Sequence, residues 1–391
     1  MQETDRLFTC EYCRVKSYLI EKDFFRYMLP NAAPKNKSLL FFPYWRFKGM
    51  LFSCVSKGIE YRFIDASHQA VNSSYLPVSV GLRSQALKLQ FVSPETKGRF
   101  IKPSQSFEKV MNIFDQRFKK SLSGPVFHQS HIGETLSLIY SPFYIDSKIY
   151  DAVLNKPVSP VLPNDFDTEC FPGGPPDWRI QFIPTMCPDC GWDLDGERDS
   201  LTLSCRNCNS VWKASGNGLK SIKFAHIHGQ GDNIIYFPFW RIETEISGVN
   251  LNSYADMVRV ANIPKKIQEK WEDIEFLFWA VAFKVRPCTF LQLSRNITFS
   301  QPREKLIPEL PDARLQPVTL PVKEAVESLK INLANFIKPR EKIYPLLGDI
   351  KIRPKSYLLV YIPFEIRHRE FIQSAFHLVI NKKHISLAGN L

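Results

Sequence analysis

The chain has 391 residues, a net charge of +12 and an apolar fraction of 44%. These values predict a globular protein of two or three domains, and they exclude a small disulfide-stapled scaffold and a mainly disordered chain. The charge is spread evenly, with +6 on residues 1–180 (23 Lys/Arg against 17 Asp/Glu) and +6 on residues 181–391 (28 against 22). The chain therefore lacks the dense basic arm that many nucleic-acid binders carry.

Neither a leader peptide nor a membrane span is predicted. Glu3, Asp5 and Arg6 are followed by no apolar segment, which argues against a signal peptide. The longest apolar run covers residues 276–283, whereas a bilayer-spanning helix needs about 20 residues. We therefore expect a cytoplasmic protein without membrane insertion, since paired Cys-x-x-Cys motifs also suit a reducing compartment.

Residues 1–30 contain half of a metal-binding motif. Cys10 and Cys13 form one Cys-x-x-Cys pair, and two thiolates alone do not satisfy zinc. The pair is interpreted as a relic that has lost its metal, or as a second site that another copy of the chain, Cys54 or a nearby histidine completes. A start codon placed too far downstream would also explain the missing pair. A redox dithiol is not favoured, because no helix N-terminus that would lower a thiol pKa is evident.

Residues 31–155 predict a β-rich domain with one helix. An apolar strand carries a proline between aromatic residues at Pro43, and a variant of it returns at Pro142. Between them, Ser104 or Ser106 precedes apolar residues at helical spacing over 107–118. Proline donates no ladder hydrogen bond, so we expect each proline at a bulge, an edge or a strand end.

A linker and a second cysteine motif follow. Residues 156–184 hold seven prolines and predict an extended inter-domain linker. Two Cys-x-x-Cys pairs come next, and their spacing is that of two facing turns around one tetrahedral ion. Gly191 and Asn209 follow the two pairs and suit those turns. The four predicted ligands are Cys187, Cys190, Cys205 and Cys208.

This spacing resembles that of the zinc-ribbon superfamily, and the likeness covers about Thr185–Ala214. Residues 185–214 are therefore expected to fold as a ribbon around a structural Zn²⁺. With four thiolate ligands the ion keeps no open position, so it would not activate water. One iron in the same site, as in rubredoxin, is the alternative.

Residues 215–391 repeat the plan of the first domain. Pro238 lies thirty residues after Cys208, as Pro43 lies thirty residues after Cys13, and a fourth proline strand surrounds Pro363. A helix over 322–333 matches that over 107–118. A second helix is predicted from Asn262 to Ile274, and a strand is predicted at Phe290–Leu293.

The predicted fold class is α+β, mostly β, with two similar tandem halves. Each half begins with a zinc ribbon, incomplete in the first half, and continues into a β-rich unit with a helix. The arrangement resembles uncharacterised bacterial proteins that couple zinc ribbons to repeated Pro-Phe-Trp-Arg strands. That resemblance implies no activity.

Two Trp-Arg pairs are the most distinctive residues outside the cysteines. Neighbours on a strand face opposite ways, so each pair places one side chain in the core and the other elsewhere. Packing is the first interpretation, and an interface anchor is the second. The residues concerned are Trp45, Arg46, Trp240 and Arg241.

Catalytic motifs are not evident. His128 and His131 with Glu134, and His226 with His228, have spacings that metals use, but no further ligands stand in register, so polar surface histidines are the simpler interpretation. There is no phosphate loop and no nucleophile elbow. An enzyme is not indicated, although the sequence does not decide this point.

The leading functional hypothesis is a non-catalytic zinc-binding scaffold or adaptor that docks a protein partner through aromatic-rich β surfaces. The first alternative is a nucleic-acid-binding zinc-ribbon protein, and the second is a rubredoxin-like one-electron carrier. Homodimerisation is an open alternative, because a second chain would complete the Cys10/Cys13 site.

Overall fold

The computed structural model describes residues 5–12, 15–20, 23–122, 124–158, 162, 168, 170–176, 178–216 and 218–386. Strands hold 40% of the residues and helices 19%. The predicted α+β class with a majority of β structure is therefore confirmed.

The described residues form 23 strands. In chain order they are β1 Leu7–Thr9, β2 Lys16–Ile20, β3 Phe25–Met28, β4 Leu40–Val55, β5 Gly58–Gln69, β6 Gln90–Phe91, β7 Arg99–Ile101, β8 Val126–Ile145, β9 Ile149–Asp151, β10 Lys156–Pro157, β11 Gly173–Gly174, β12 Gln181–Pro184, β13 Thr202–Cys205, β14 Ser210–Ser215, β15 Gly218–Ser221, β16 Phe224–Ile227, β17 Ile234–Ser247, β18 Phe278–Val281, β19 Leu306–Ile307, β20 Arg314–Leu315, β21 Lys351–Ile366, β22 Glu370–Gln373 and β23 Leu378–Asn381.

The same residues form α-helices and three short 3-10 helices. The α-helices are α1 Arg83–Ala86, α2 Phe107–Lys119, α3 Tyr254–Val260, α4 Pro287–Ser300, α5 Val322–Glu327, α6 Leu329–Phe336, α7 Arg340–Ile343 and α8 Lys382–Ser386. The 3-10 helices are η1 Glu269–Trp271, η2 Tyr344–Leu346 and η3 Ser374–Phe376.

The first domain is organised around β4, which pairs antiparallel with β8 along most of its length. β5 extends the sheet on the other flank of β4, and β7 runs parallel to the first residues of β4. β3 runs parallel to β8, and β9 folds back on the end of β8.

The second domain is organised around β17, which pairs antiparallel with β21. β18 lies on the other flank of β17, and β20 runs parallel to its first residues. β16 runs parallel to β21, and β22 folds back on the end of β21.

The four prolines lie inside the long strands, at the point where the neighbouring strand on one flank changes. At Pro43, β7 has just ended and β5 begins, and the Pro43 carbonyl accepts from Ala70 N at 2.9 Å. Pro142, Pro238 and Pro363 occupy the same kind of gap, in β8, β17 and β21. The missing N–H faces this gap, so it costs no ladder bond. Each proline thus marks the end of a neighbouring strand, while the strand that contains the proline continues.

β4, β5 and β8 extend beyond the first core as a three-stranded arm, residues 48–64 and 126–135. One face of the arm, with Leu51 and Ile64, packs on α2. The opposite face, with Met50, Phe52 and Cys54, belongs to the core of the second domain. The Phe52 and Phe290 ring centroids are 5.8 Å apart. The β4 strand of the arm is therefore buried between the two domains, whereas Tyr61 and Phe63 of β5 stay about half exposed.

The described part of residues 156–184, predicted as a linker, contributes strands to two sheets. β10 and β11 join the first sheet, and β12 pairs with β2 in a small sheet with β1. Backbone pairing satisfies polar groups of these three short strands. The described part of the segment is therefore a component of the fold, not a free connector.

Several local predictions differ from the structure. Asn262 ends α3 at φ +49° instead of starting a helix, and residues 262–274 contain only η1. Phe290–Leu293 lies in α4, whose exposed residues Cys288, Gln292 and Arg295 recur at helical spacing, so the short apolar run is part of a helix and not a strand. The predicted helix over 322–333 is two helices, α5 and α6, that meet at Ser328. Ser106 caps α2 as predicted, accepting from Lys109 N.

Charged groups from several segments meet where the arm joins the second domain. Lys284 donates to Thr135 Oγ1 at 3.4 Å, and the backbone N–H of Gly133 donates to the Glu324 carboxylate. Burial lowers the pKa of Lys284 to about 8, Glu324 opposes this effect, and the positive charge of Lys48 adds to it. Lys284 and Glu324 thus connect the arm to the second domain through charge as well as packing.

We predict that Lys284→Met lowers the free energy of unfolding by about 3 kcal/mol, because the variant loses the attraction between the buried ammonium group and the Glu324 carboxylate. The matched control is Lys323→Met, whose ammonium group is exposed and lies 3.8 Å from Glu327; it should cost under about 1 kcal/mol. Urea denaturation of both variants measures the difference. Equal losses would contradict a structural role for Lys284.

Candidate metal centre

Four cysteines converge between two turns. Cys187 and Cys190 lie on a turn before β13, Cys205 ends β13, and Cys208 lies in the turn to β14. Gly191, at φ +74°, donates its N–H to the Cys187 carbonyl at 2.9 Å, and Asn209 adopts φ +51° after the second pair. These left-handed residues close the two turns, as their positions in the sequence predicted.

The four Sγ atoms lie within 4.8 Å of one another. Cys187 Sγ and Cys208 Sγ are 3.5 Å apart, as are Cys190 Sγ and Cys205 Sγ. Four ligands at the usual Zn–S distance of about 2.3 Å would sit roughly 3.8 Å apart at the corners of a tetrahedron. The four sulfurs are therefore placed to hold one metal ion.

The acid–base properties of the thiols also fit a cation site. Burial would raise the pKa of Cys187, but hydrogen bonds from the Cys190 and Asp189 backbone and from Ser210 lower it to about 6. The Ser210 hydroxyl favours the Cys208 thiolate, yet burial and the three neighbouring sulfurs raise the pKa of Cys208 to about 12. Four thiolates at these distances need a cation to balance their charge.

Ser210 is a residue that sequence reasoning missed. Its Oγ lies 3.1 Å from Cys208 Sγ and 3.7 Å from Cys187 Sγ, and it accepts from Trp212 Nε1 at 2.8 Å. Because Trp212 supplies a hydrogen to Ser210 Oγ, the Ser210 hydroxyl proton is directed towards sulfur. The available signal was the alternation Ser210-Val-Trp212, which places both side chains on the same face of β14.

The four-cysteine module, residues 185–214, packs against β1 and β2. Their shared core contains Leu7, Tyr18, Ile183, Leu203 and Trp212. The backbone N–H groups of residues 6 and 7 donate to the carbonyl of residue 198, and the phenol of Tyr18 donates to that of residue 200.

The module also holds the second domain. The N–H of Leu201 donates to the Val318 carbonyl at 2.8 Å, and the Arg206 guanidinium donates to two carbonyls in the segment before β20. The two cysteine turns are thereby linked to contacts on both sides of the module.

The N-terminal cysteine pair is only partly described. Cys10 is exposed beside the turn between β1 and β2, while Cys13 lies outside the described residues. Among described residues, only the four-cysteine group brings three or more potential ligands together. Cys54 lies in the arm, where burial raises the pKa of its thiol to about 12.

The Trp-Arg residues lie largely inside the fold. Trp45 is 5% exposed and donates from Nε1 to the Gln105 carbonyl at 2.8 Å, and Trp240, 2% exposed, donates likewise to Leu320. Arg46, on the opposite face of β4, is 3% exposed and forms two 2.7 Å bonds with Asp65. Arg241 is half-buried. The first three side chains are therefore not accessible to a partner and support packing.

The histidines form no common site among the described residues. His128 and His131 face opposite sides of β8: Lys330 of α6 lies near His128, and Asp115 of α2 lies 3.4 Å from His131 Nε2. Burial lowers the pKa of His128 to about 4. His226 is buried with Nδ1 2.7 Å from the Glu309 carbonyl, and His228 is exposed.

Comparison with known proteins adds no identification. No protein-family model, curated protein or solved structure matches the chain. Within the described residues, no helix combines the length and apolar character needed to cross a bilayer.

We predict that Ser210→Ala weakens metal binding by about tenfold or more, because the thiolates lose a hydrogen-bond donor. Competition with a chromogenic chelator measures the change. Ser204→Ala is the matched control, since its hydroxyl donates to the Asp195 carbonyl and contacts no sulfur. A metal affinity unchanged by Ser210→Ala would contradict this role.

Proposed function

We propose that the chain is a non-catalytic zinc-binding scaffold protein whose four-cysteine module is a zinc ribbon. The observation that carries this proposal is the set of four thiol sulfurs, all within 4.8 Å of one another. Four such ligands complete the tetrahedral coordination of one ion and leave no position for substrate. Zinc is preferred over iron because four thiolates in a small module are typical of structural zinc. The proposal places the chain in the reducing cytoplasm, where thiols remain available.

The scaffold role is supported by what the module contacts. Donors in and beside the sheet of β1, β2 and β12 bind carbonyls of the module, and the segment before β20 offers carbonyls to Arg206 of the module. Loss of the ion would therefore loosen contacts on two sides. Metal-linked stabilisation of small zinc modules is on the order of 10 kcal/mol. The ion would thus stabilise the arrangement of the domains around the module.

We also propose that the two domains arose by duplication. Two pairings of corresponding residues support this: Phe41 faces Pro142 as Tyr236 faces Pro363, and the parallel strands β7 and β20 meet the corresponding first residues of β4 and β17. The two tryptophans donate to carbonyls directly before the N-caps of α2 and α5. On this view, β1 and β2 correspond to β13 and β14.

We propose that the chain binds a protein partner through residues 182–192, the segment that leads into the four-cysteine site. Three large apolar side chains are exposed there: Phe182 (52%), Met186 (56%) and Trp192 (63%). Aromatic residues and methionine are enriched at protein interfaces. The sequence hypothesis assigned this docking role to the two Trp-Arg pairs, of which Trp45, Arg46 and Trp240 are buried.

We predict one zinc per chain in anaerobically purified protein, because one complete four-thiol site is present in the described chain. Elemental mass spectrometry measures metal identity and ratio, and Cys10→Ser should leave the ratio unchanged. A ratio of about one and a half would instead assign Cys10 and Cys13 to a site shared by two chains. Iron would overturn the zinc scaffold in favour of an electron carrier.

The docking proposal is tested by quantitative crosslinking in cells. We expect one protein to crosslink stoichiometrically to the wild type, and Trp192→Ser to reduce its recovery by about tenfold or more, since buried interface tryptophans often contribute at least 2 kcal/mol. Leu82→Ser, which changes a 72% exposed leucine in the first domain, should have no effect. Equal recovery with both variants, or a monomer without a partner, would contradict the proposal.

A further inference from the structure

The second domain contains a groove of about 900 Å³ that the metal centre does not explain. Its walls come from α3 and the residues after it, the C-terminal half of α4, the end of α6, and η3. This volume lies near the upper end of the roughly 300–1,000 Å³ typical of ligand sites.

Positive charge dominates the lining of the groove. Lys265, Arg295, Arg303, Lys338 and Arg340 line it, against the single acid Glu304. Within the described residues, none of the five cations forms an ion pair with a carboxylate. Arg340 reaches the arm, with Nη1 3.3 Å from the position that a Cβ on Gly58 would take, so the other four cations are the ones that face an anion. The groove therefore offers an uncompensated positive potential to an anion.

Aromatic rings lie between these cations. Tyr254, Trp271 and Phe299 line the groove and are each half-buried, and the Tyr254 and Trp271 centroids are 5.0 Å apart. The guanidinium of Arg303 lies 5.7 Å from the centroid of the Tyr254 ring, and that of Arg295 lies 5.4 Å from the Phe299 centroid. Rings beside guanidinium groups provide stacking surfaces for flat bases.

Backbone conformation also marks the groove. Asn262, Gln301 and His377 have φ values of 49°, 41° and 54°, and all three line it. Only two other non-glycine residues in the described chain have positive φ. All three residues lie at the end of a helix, namely α3, α4 and η3, so these left-handed conformations terminate three helices that meet at the groove.

One wall of the groove has no counterpart in the first domain. β4 and β5 are joined directly by residues 56–57, whereas residues 248–277, with α3 and η1, separate β17 from β18. This comparison rests on the proposed duplication. The segment that departs from the repeated plan supplies Tyr254, Lys265 and Trp271 to the groove.

We propose that this groove binds a short segment of single-stranded nucleic acid, with bases stacked on the rings and phosphates held by the basic side chains. The helix N-termini in its lining belong to the short helices α3 and α7, through Tyr254 and Arg340, and not to a long helix whose N-terminus would bind one phosphate cluster. The phosphates would therefore be held by the basic side chains. Cations distributed among rings fit a polyanion better than a free nucleotide. An acidic peptide would use the cations but not the stacking surfaces.

Fluorescence anisotropy with labelled dT12 and rU12 on the zinc-loaded full-length protein tests the proposal. We expect binding that weakens as salt rises, with the logarithmic slope reduced by about 1.4 in the double variant Arg295→Gln/Arg303→Gln. Trp271→Ala should weaken binding by about tenfold. The control Lys119→Gln/Lys120→Gln removes two exposed charges from the first domain and should leave the affinity unchanged.

Three outcomes would overturn the proposal: no binding at low salt, equal effects of the groove and control variants, or displacement of the oligonucleotide by dTMP or a glutamate-rich peptide at equal concentration. None of these affects the metal ratio or the loss of partner crosslinking in Trp192→Ser. Failure here is therefore distinguishable from failure of the scaffold proposal.

Discussion

The arm formed by β4, β5 and β8 is the element on which the rest of the structure depends, because both of its faces are apolar and both must be covered. α2 covers the face that carries Leu51, while the helices of the second domain cover the face that carries Phe52. Burying one such side chain contributes about 2 kcal/mol. Separating the domains would expose one whole face to water, so neither domain is complete without the other.

Buried charged groups and the four-cysteine module also connect parts of this arrangement. Lys284 and Glu324 sit where the arm enters the second domain, and they bond to Thr135 and Gly133 of the arm. The four-cysteine module, held by the N-terminal sheet on one side and the segment before β20 on the other, lies outside the arm. A structural ion there would stabilise the packing without entering any reaction, whereas the groove of the second domain faces solvent and is free for a ligand.

Much of the candidate site could be predicted from the sequence, because cysteine spacing is a local property. Two Cys-x-x-Cys pairs with Gly191 and Asn209 after them predict two turns, and the structure has both. Ser210 and the groove could not be found this way. The groove joins residues from α3, α4, α6 and η3. A single sequence does not indicate which helix ends will meet in the folded chain. The short run Phe290–Leu293 was assigned to a strand, although the exposed residues Cys288, Gln292 and Arg295 of α4 recur at helical spacing.

The sequence by itself determined the mostly β class, the four thiol ligands and the recurrence of proline strands, since each depends on composition or on short spacings. Tertiary structure decided where those features act. It showed that the described part of residues 156–184 contributes strands to two sheets, that each proline sits where a flanking strand changes, and that Trp45, Arg46 and Trp240 are buried. Long-range pairing decides such matters, because whether a side chain meets solvent depends on which distant segment covers it.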